Sequence, residues 1–118
     1  METLGTRAKS QPAPTWVVYE ALCEPNRDPT RQWLVLLDDE MSPSIVMSQE
    51  PNVVIWSSIW QKRPAAQVRY DIEGGEGSGC SLRWTLLDAD DPGPALVGHM
   101  RRRLNELINA ELRYSFGQ

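Results

Sequence analysis

The sequence predicts an α+β fold in which a curved antiparallel sheet of about four to six strands lies around one long C-terminal helix, with two short helices near the N-terminus. Three observations carry that expectation. Residues 66 to 73 and 80 to 88 alternate apolar and polar side chains, residues 95 to 114 repeat apolar side chains at helical spacing, and a length of 118 residues suits one domain spanning 1–118 with one core.

Taken in order, residues 1 to 12 are polar, with Leu4, Thr6, Ala8 and Ser10 in weak alternation, and fit either a frayed start or an edge strand. The next stretch, PTWVVYEALCEPN, reads as a helix. Pro14 suits a first turn, Val18 and Leu22 share a face at i, i+4, and Pro25-Asn26 closes it. A second short helix is expected behind it, with Asp28 as N-cap, Pro29 at the first helical position, Trp33, Leu36 and Leu37 at helical spacing, and Asp38-Asp39-Glu40 as its stop.

From Ser44 the period changes to alternation. Ser44 to Glu50 is a weak strand ended by Pro51-Asn52, and Val53 to Trp60 is a β-branched and aromatic strand ended by Lys62-Arg63-Pro64. In Ala66 to Glu73, Ala66, Val68, Tyr70 and Ile72 alternate with Gln67, Arg69, Asp71 and Glu73, which describes one buried and one wet face. Leu82, Trp84 and Leu86 repeat the pattern between Cys80 and Asp88, so these two runs should pair as a hairpin across GGEGSG. A phosphate-cradling loop would instead lead into a helix with a Lys and a Ser or Thr behind it. Acidic punctuation over Asp88 to Pro94 then opens a helix from about Ala95 to Tyr114, whose stripe is Leu96, Val97, Met100, Leu104, Leu107, Ile108 and Leu112.

Composition narrows the function classes. A net charge of −4 and a pI near 4.9 lack the basic footprint that phosphate backbones require, so no nucleic-acid partner is expected. No run approaches the roughly 18 apolar residues needed to cross a bilayer, and METLGTRAKSQPAP has no apolar signal core, which points to the cytoplasm and away from membrane insertion. Cys23 and Cys80 are far apart and read as separate thiols, and with one histidine, His99, no metal-ligand spacing or cofactor motif emerges. His99 falls off the apolar stripe and reads as a surface residue. Arg101-Arg102-Arg103 reads as a solvated face, with Arg102 paired to Glu106 at i, i+4.

The order of these elements resembles the SRPBCC superfamily, the helix-grip proteins that include START-related lipid carriers, polyketide cyclase/dehydrase-like proteins and the birch-pollen allergen group. The resemblance runs over residues 13 to 116. Ala13-Pro14 through Val18-Tyr19-Glu20-Ala21-Leu22 is similar to the opening helix, Trp33 to the tryptophan of the second helix, and Val53-Val54-Ile55-Trp56-Ser57 to the "rlvWs" strand. Ser81-Leu82-Arg83-Trp84-Thr85 behind the glycine loop is similar to the family's "g.gT.l.w" hairpin. The chain leaves room for fewer strands than the family's usual complement. That shortening implies a small or one-sided cavity and an uncovered sheet edge, hence a possible homodimer, with Trp56 and Trp60 on one side of a strand as candidate contacts.

What the resemblance implies is a pocket between the C-terminal helix and the concave sheet face that binds a small apolar or amphipathic molecule, lined by Tyr70, Trp84, Met100, Leu104, Ile108 and Glu111. Tyr70 and Trp84 sit on the apolar phase of their strands, which is equally the phase of a filled core. Glu111 falls near the middle of the helix stripe at about 100° per residue. There it would hold a ligand polar group or move a proton, or else pair with Arg69 or Arg83 or reach water at a frayed end. Two alternatives stand beside the binding module: a cyclase- or dehydrase-type enzyme, and a protein-interaction domain whose pocket has collapsed.

Overall fold

The computed structural model describes residues 1–30, 32–74, 77 and 79–117. The five strands are β1 Glu2–Gln11, β2 Ile45–Gln49, β3 Val53–Ser57, β4 Gln67–Gly74 and β5 Cys80–Asp88. They form one curved antiparallel sheet in the order β1-β5-β4-β3-β2. The first twelve residues are therefore an edge strand, paired with β5 from Glu2↔Asp88 to Gln11↔Cys80. The strand keeps its full length because the hairpin closes tightly on it: a Cβ at Gly79 would stand 2.6 Å from the Gln11 carbonyl oxygen. Gly75, Glu76 and Ser78 of the glycine-rich turn lie outside the described residues.

Register explains which side chains meet. Val54, Tyr70 and Trp84 form one row across β3, β4 and β5, and Trp56, Val68 and Leu86 the next. All six have no exposed surface. The opposite face carries Arg69 paired with Asp71 and Thr6 against Thr85, so the alternation is apolar inward and polar outward.

One short helix, α1 Thr15–Cys23, packs near the start of the chain, burying Val18 and Leu22. Among the described residues of 28–37 the expected helix does not form. Asp28 instead accepts hydrogen bonds from the Thr30 amide at 2.9 Å and hydroxyl at 2.6 Å, closing a local turn of the kind that competes with helix initiation. Residues 33 to 40 then run as an irregular strap with Trp33 and Leu34 buried side by side and Val35 exposed. Tertiary anchors at both of its ends override a modest helical propensity.

The C-terminal helix starts with Gly93 at φ 108° and Pro94 in its first turn. It runs as α2 Pro94–Glu106, passes without interruption into a π-helical stretch, Leu107–Leu112, and finishes in a short α3, Arg113–Ser115. Met100, Leu104, Leu107, Ile108 and Leu112 are all sealed against the sheet, while Leu96 and Val97 are half-buried. The arginine run is not wholly solvated. Arg103 is buried and grips Glu40 of the strap with two hydrogen bonds, Nε to Oε2 at 2.8 Å and Nη2 to Oε1 at 2.7 Å. The same guanidinium donates to the Val35 carbonyl at 3.1 Å and to Glu106 at 2.7 Å. It is therefore Arg103, not Arg102, that meets Glu106. Glu40 also accepts from the Leu37 amide at 2.9 Å and bridges in antiparallel fashion to Trp60.

Burial works to raise the pKa of Glu40, but the hydrogen bonds from Arg103 and Leu37 overcome it and hold the carboxyl below its ordinary value. Relative to an unfolded glutamate near 4.3, stability from this pair is fully present above about that pH and is lost as pH falls through the lower folded value. Arg103→Ala, which strands a buried carboxylate, is expected to cost about 3–5 kcal/mol, whereas Glu40→Leu combined with Arg103→Met should fall close to the wild type in urea unfolding. The double variant should also lose the acid-side decline; if it unfolds as readily as Arg103→Ala, the charge pair is not what anchors the strap. Leu104→Ala is expected to cost about 2–5 kcal/mol as a fully buried large-to-small change, and an unchanged urea midpoint would remove the helix from the core.

Candidate functional site

Among the described residues, two clefts lie at the rim of the grip. Tyr70, Trp84, Met100, Leu104 and Ile108, the residues expected to line a pocket between helix and sheet, have no exposed surface and pack as core. The Trp84 indole is fixed from the helix, donating to Asn105 Oδ1 at 3.2 Å, and Asn109 donates to the same oxygen at 3.0 Å.

Glu111 is exposed, not central to the stripe. The π-helical turn is the reason. Closing i→i+5 rather than i→i+4 rotates each residue by less than the α-helical step, so the phase counted from Leu104 no longer holds at Glu111. The carboxylate swings out of the apolar face while Leu112 stays within it.

Two clefts open where α1, the strap and the chain end meet. The first, of about 200 Å³, is walled by Val17, Glu20 and Ala21 of α1 and its C-cap Glu24, by Pro25, Arg27, Asp28 and Trp33 of the following loop, and by Ser115 and Phe116. The second, of about 350 Å³, is lined by Gln32, Trp33, Glu111, Tyr114, Ser115 and Gly117. Trp33 and Ser115 line both, so the two clefts adjoin there. The larger alone falls within the roughly 300–1,000 Å³ of small-molecule sites.

Each wall has a local cause. Val17, Glu20 and Ala21 recur at i, i+3 and i+4 and so share one face of α1, with its C-cap Glu24 just beyond, while Val18 and Leu22 turn beneath it. Trp33 is held by stacking on Trp56, with ring centroids 6.0 Å apart and planes at 22°. Trp56 is held in turn by an edge contact with Tyr70 at 4.9 Å and by donating its indole N–H to the Leu22 carbonyl at 2.8 Å, which satisfies an end carbonyl of α1. At the far wall Gly117 takes φ 87° and its amide donates to Tyr114, ending the helix so that Tyr114 and Phe116 stay beside the groove.

Polar groups without protein partners lie behind this aromatic chain. The Tyr70 hydroxyl, Asn109 Oδ1, Gln11 Oε1 and Trp60 Nε1 are buried with no hydrogen-bond partner among the described residues. Burial pushes the Tyr70 hydroxyl well above its ordinary pKa, so it stays protonated and can only donate or accept a hydrogen bond. Burial likewise raises the thiols of Cys80 and, more exposed, Cys23, which keeps both protonated and weakly nucleophilic. His99 is half-buried and lines neither cleft.

The sequence alone missed Trp33's position at the junction and the whole α1 wall. The i, i+3, i+4 recurrence of Val17, Glu20 and Ala21 was the available signal for that wall, a second face on a helix whose first face is core.

No protein-family model and no curated protein sequence matches the chain. Solved structures do. The chain is similar to CalU16 from Micromonospora echinospora, at a TM-score of 0.63 and 19% identity over 90% of this chain and 73% of that one. It is similar to the Aha1 dimer of Colwellia psychrerythraea, at a TM-score of 0.69 and 12% identity over 96% and 94% of the two chains. It is also similar to Ara h 8.0201, at 0.61 and 14% identity over 99% of both. At these identities the likeness is one of fold, and together with the five-stranded sheet closed on a long C-terminal helix it establishes that this chain has the helix-grip fold.

Proposed function

We propose that the chain is a binding module that holds a small apolar or amphipathic molecule in the groove that meets at Trp33. The observation that carries this reading is the groove itself: a concavity walled by Val17, Ala21, Pro25, Trp33 and Phe116 at the rim of the grip, with its back wall braced by the Trp33–Trp56–Tyr70 chain. Apolar walls with a few polar groups at the edge are what a small-molecule site needs. In this arrangement Glu111 lines the groove, while Tyr70, Trp84, Met100, Leu104 and Ile108 form the packed core behind it. Proton-moving chemistry of the cyclase kind finds no base in Tyr70, whose hydroxyl burial keeps neutral.

Thermal shift against a panel of apolar metabolites tests the reading. A ligand at 100 times its Kd should stabilise the fold by roughly 2.7 kcal/mol, enough to move the Tm of a small domain by several degrees. Ala21→Trp, which fills the first cleft from a half-buried position, is expected to abolish the shift while circular dichroism stays native. A ligand that shifts the melting curve of Ala21→Trp as much as that of the wild type is bound elsewhere.

A second observation favours self-association. Strand β2 forms one edge of the sheet with all five of its residues exposed, and its sequence, IVMSQ, carries no charge. The other edge, β1, is guarded by Glu2, Arg7 and Lys9. Trp56 and Trp60 do not serve as contacts, since both are buried in the core. We propose that β2 pairs with β2 of a second copy, an antiparallel and self-complementary arrangement. Sedimentation equilibrium should give a dimer for the wild type and a monomer for Val46→Lys; a wild-type monomer at high micromolar concentration overturns it.

A further inference from the structure

Cations line up along one face of β1. Gly5, Arg7 and Lys9 stand opposite Leu86, Trp84 and Leu82, whose side chains are buried on the helix side of the sheet, so all three residues present that same face. Arg101 joins the row from α2. A Cβ on Gly5 would stand 2.7 Å from Arg101 Nε and 2.8 Å from its Cδ, so the space left by the glycine is filled by the arginine stem. Arg101, Arg7 and Lys9 thus follow one another at every second position of the strand, and all three are exposed. Among the described residues none of them has an ion-pair partner, although the chain carries 16 acidic residues against 12 lysines and arginines and has no shortage of acids. Glu106 is held by Arg103, and Glu2, the one acid of β1, stands at the far end of the strand opposite Asp88.

The same strand has an open side. Among the described residues β1 has β5 on one side and no strand on the other, and Arg113 donates to the Ser10 carbonyl at the end of the row. Charged side chains on an edge ordinarily keep other strands away. A row in step with the strand's own two-residue period also selects, because an added strand presents its side chains at that same period. Like charges opposite one another repel, so the row rejects another β1 and favours a strand with acids on that face. The acidic runs of a second copy do not supply such a strand: Asp88 and Asp90 are tied to Arg63, and Glu40 to Arg103. We propose that β1 takes on an extended acidic segment of another protein as a further strand, with Asp or Glu at alternate positions facing Arg101, Arg7 and Lys9. This surface is separate from the groove at Trp33 and does not depend on a ligand there.

The test is a short labelled peptide alternating threonine and glutamate, titrated into the full chain and followed by fluorescence anisotropy and by the amide NMR shifts of β1. It is expected to bind at least about tenfold tighter than the same peptide N-methylated at alternate residues, which cannot complete the ladder, a difference of about 1.4 kcal/mol. The threonine–lysine counterpart should not bind, and added salt should weaken the acidic peptide by screening. Arg7→Glu combined with Lys9→Glu keeps the edge charged, so circular dichroism should stay native while affinity falls at least about tenfold. Arg101→Gln should weaken binding several-fold. If the acidic peptide does not bind, or binds the double variant equally well, the proposal is overturned. It is overturned too if the N-methylated peptide, or an oligothymidylate of equal charge, binds as tightly as the acidic peptide, since the row is then a plain anion surface and not a strand-pairing edge.

Discussion

A guanidinium inside a protein must be answered, and the way Arg103 is answered organises one end of this molecule. Its two hydrogen bonds to Glu40, with a third to the Val35 carbonyl, fasten a strap that has no helix or ladder of its own to hold it. Two charges out of water are costly to bring together, and the pair is stable because nearly every donor and acceptor around it is used. Glu40 is further fixed by the Leu37 amide and by its bridge to Trp60 beyond the end of β3. With the strap pinned at Glu40, Trp33 is delivered to Trp56. The groove exists because that tryptophan is held there.

The groove and the core are mechanically joined through three rings. Trp33 stacks on Trp56, Trp56 meets the edge of Tyr70, and Tyr70 stands in register between Val54 and Trp84 on the central strands. Protein interiors are close-packed, so a displacement of Trp33 is not absorbed locally but passed to the next ring. Trp56 also ties α1 to the sheet through the Leu22 carbonyl, and α1 supplies the opposite wall of the first cleft. Both walls of the site therefore refer to the same indole.

How much of this could be read beforehand follows from where the information sits. Strands β4 and β5 were legible because their burial alternates residue by residue, and the last helix because its stripe extends from Leu96 to Leu112. The missing second helix was not, since Trp33 and Leu34 are both drawn inward, an arrangement set by a partner ring on β3 and an arginine on the far helix. Arg103 hid in a run of three arginines for the same reason: Glu40 lies 63 positions away, beyond any local spacing rule. Glu111 was misplaced by a different cause, the π-helical turn, which changes the angular step exactly where the α-helical count was being extrapolated.

That turn also bears on the interior polar groups that find no partner among the described residues. An unpartnered buried donor or acceptor costs about 1–3 kcal/mol, which is a large share of the roughly 5–15 kcal/mol that holds a domain together. The Ile108 carbonyl, inside the π-helical stretch, accepts a long 3.4 Å hydrogen bond from Gln11 Nε2 and leaves Gln11 Oε1 without a donor, and Asn109, one residue on, gives its amide to Asn105 and leaves its own Oδ1 bare. The wide turn thus gathers imperfectly satisfied groups on the part of the helix that lies nearest the groove, between the sealed Leu104 layer and the aromatic chain end. Leu107, Ile108 and Leu112 of the same stretch are nonetheless fully buried, so its apolar packing is complete where its side-chain hydrogen bonding is not.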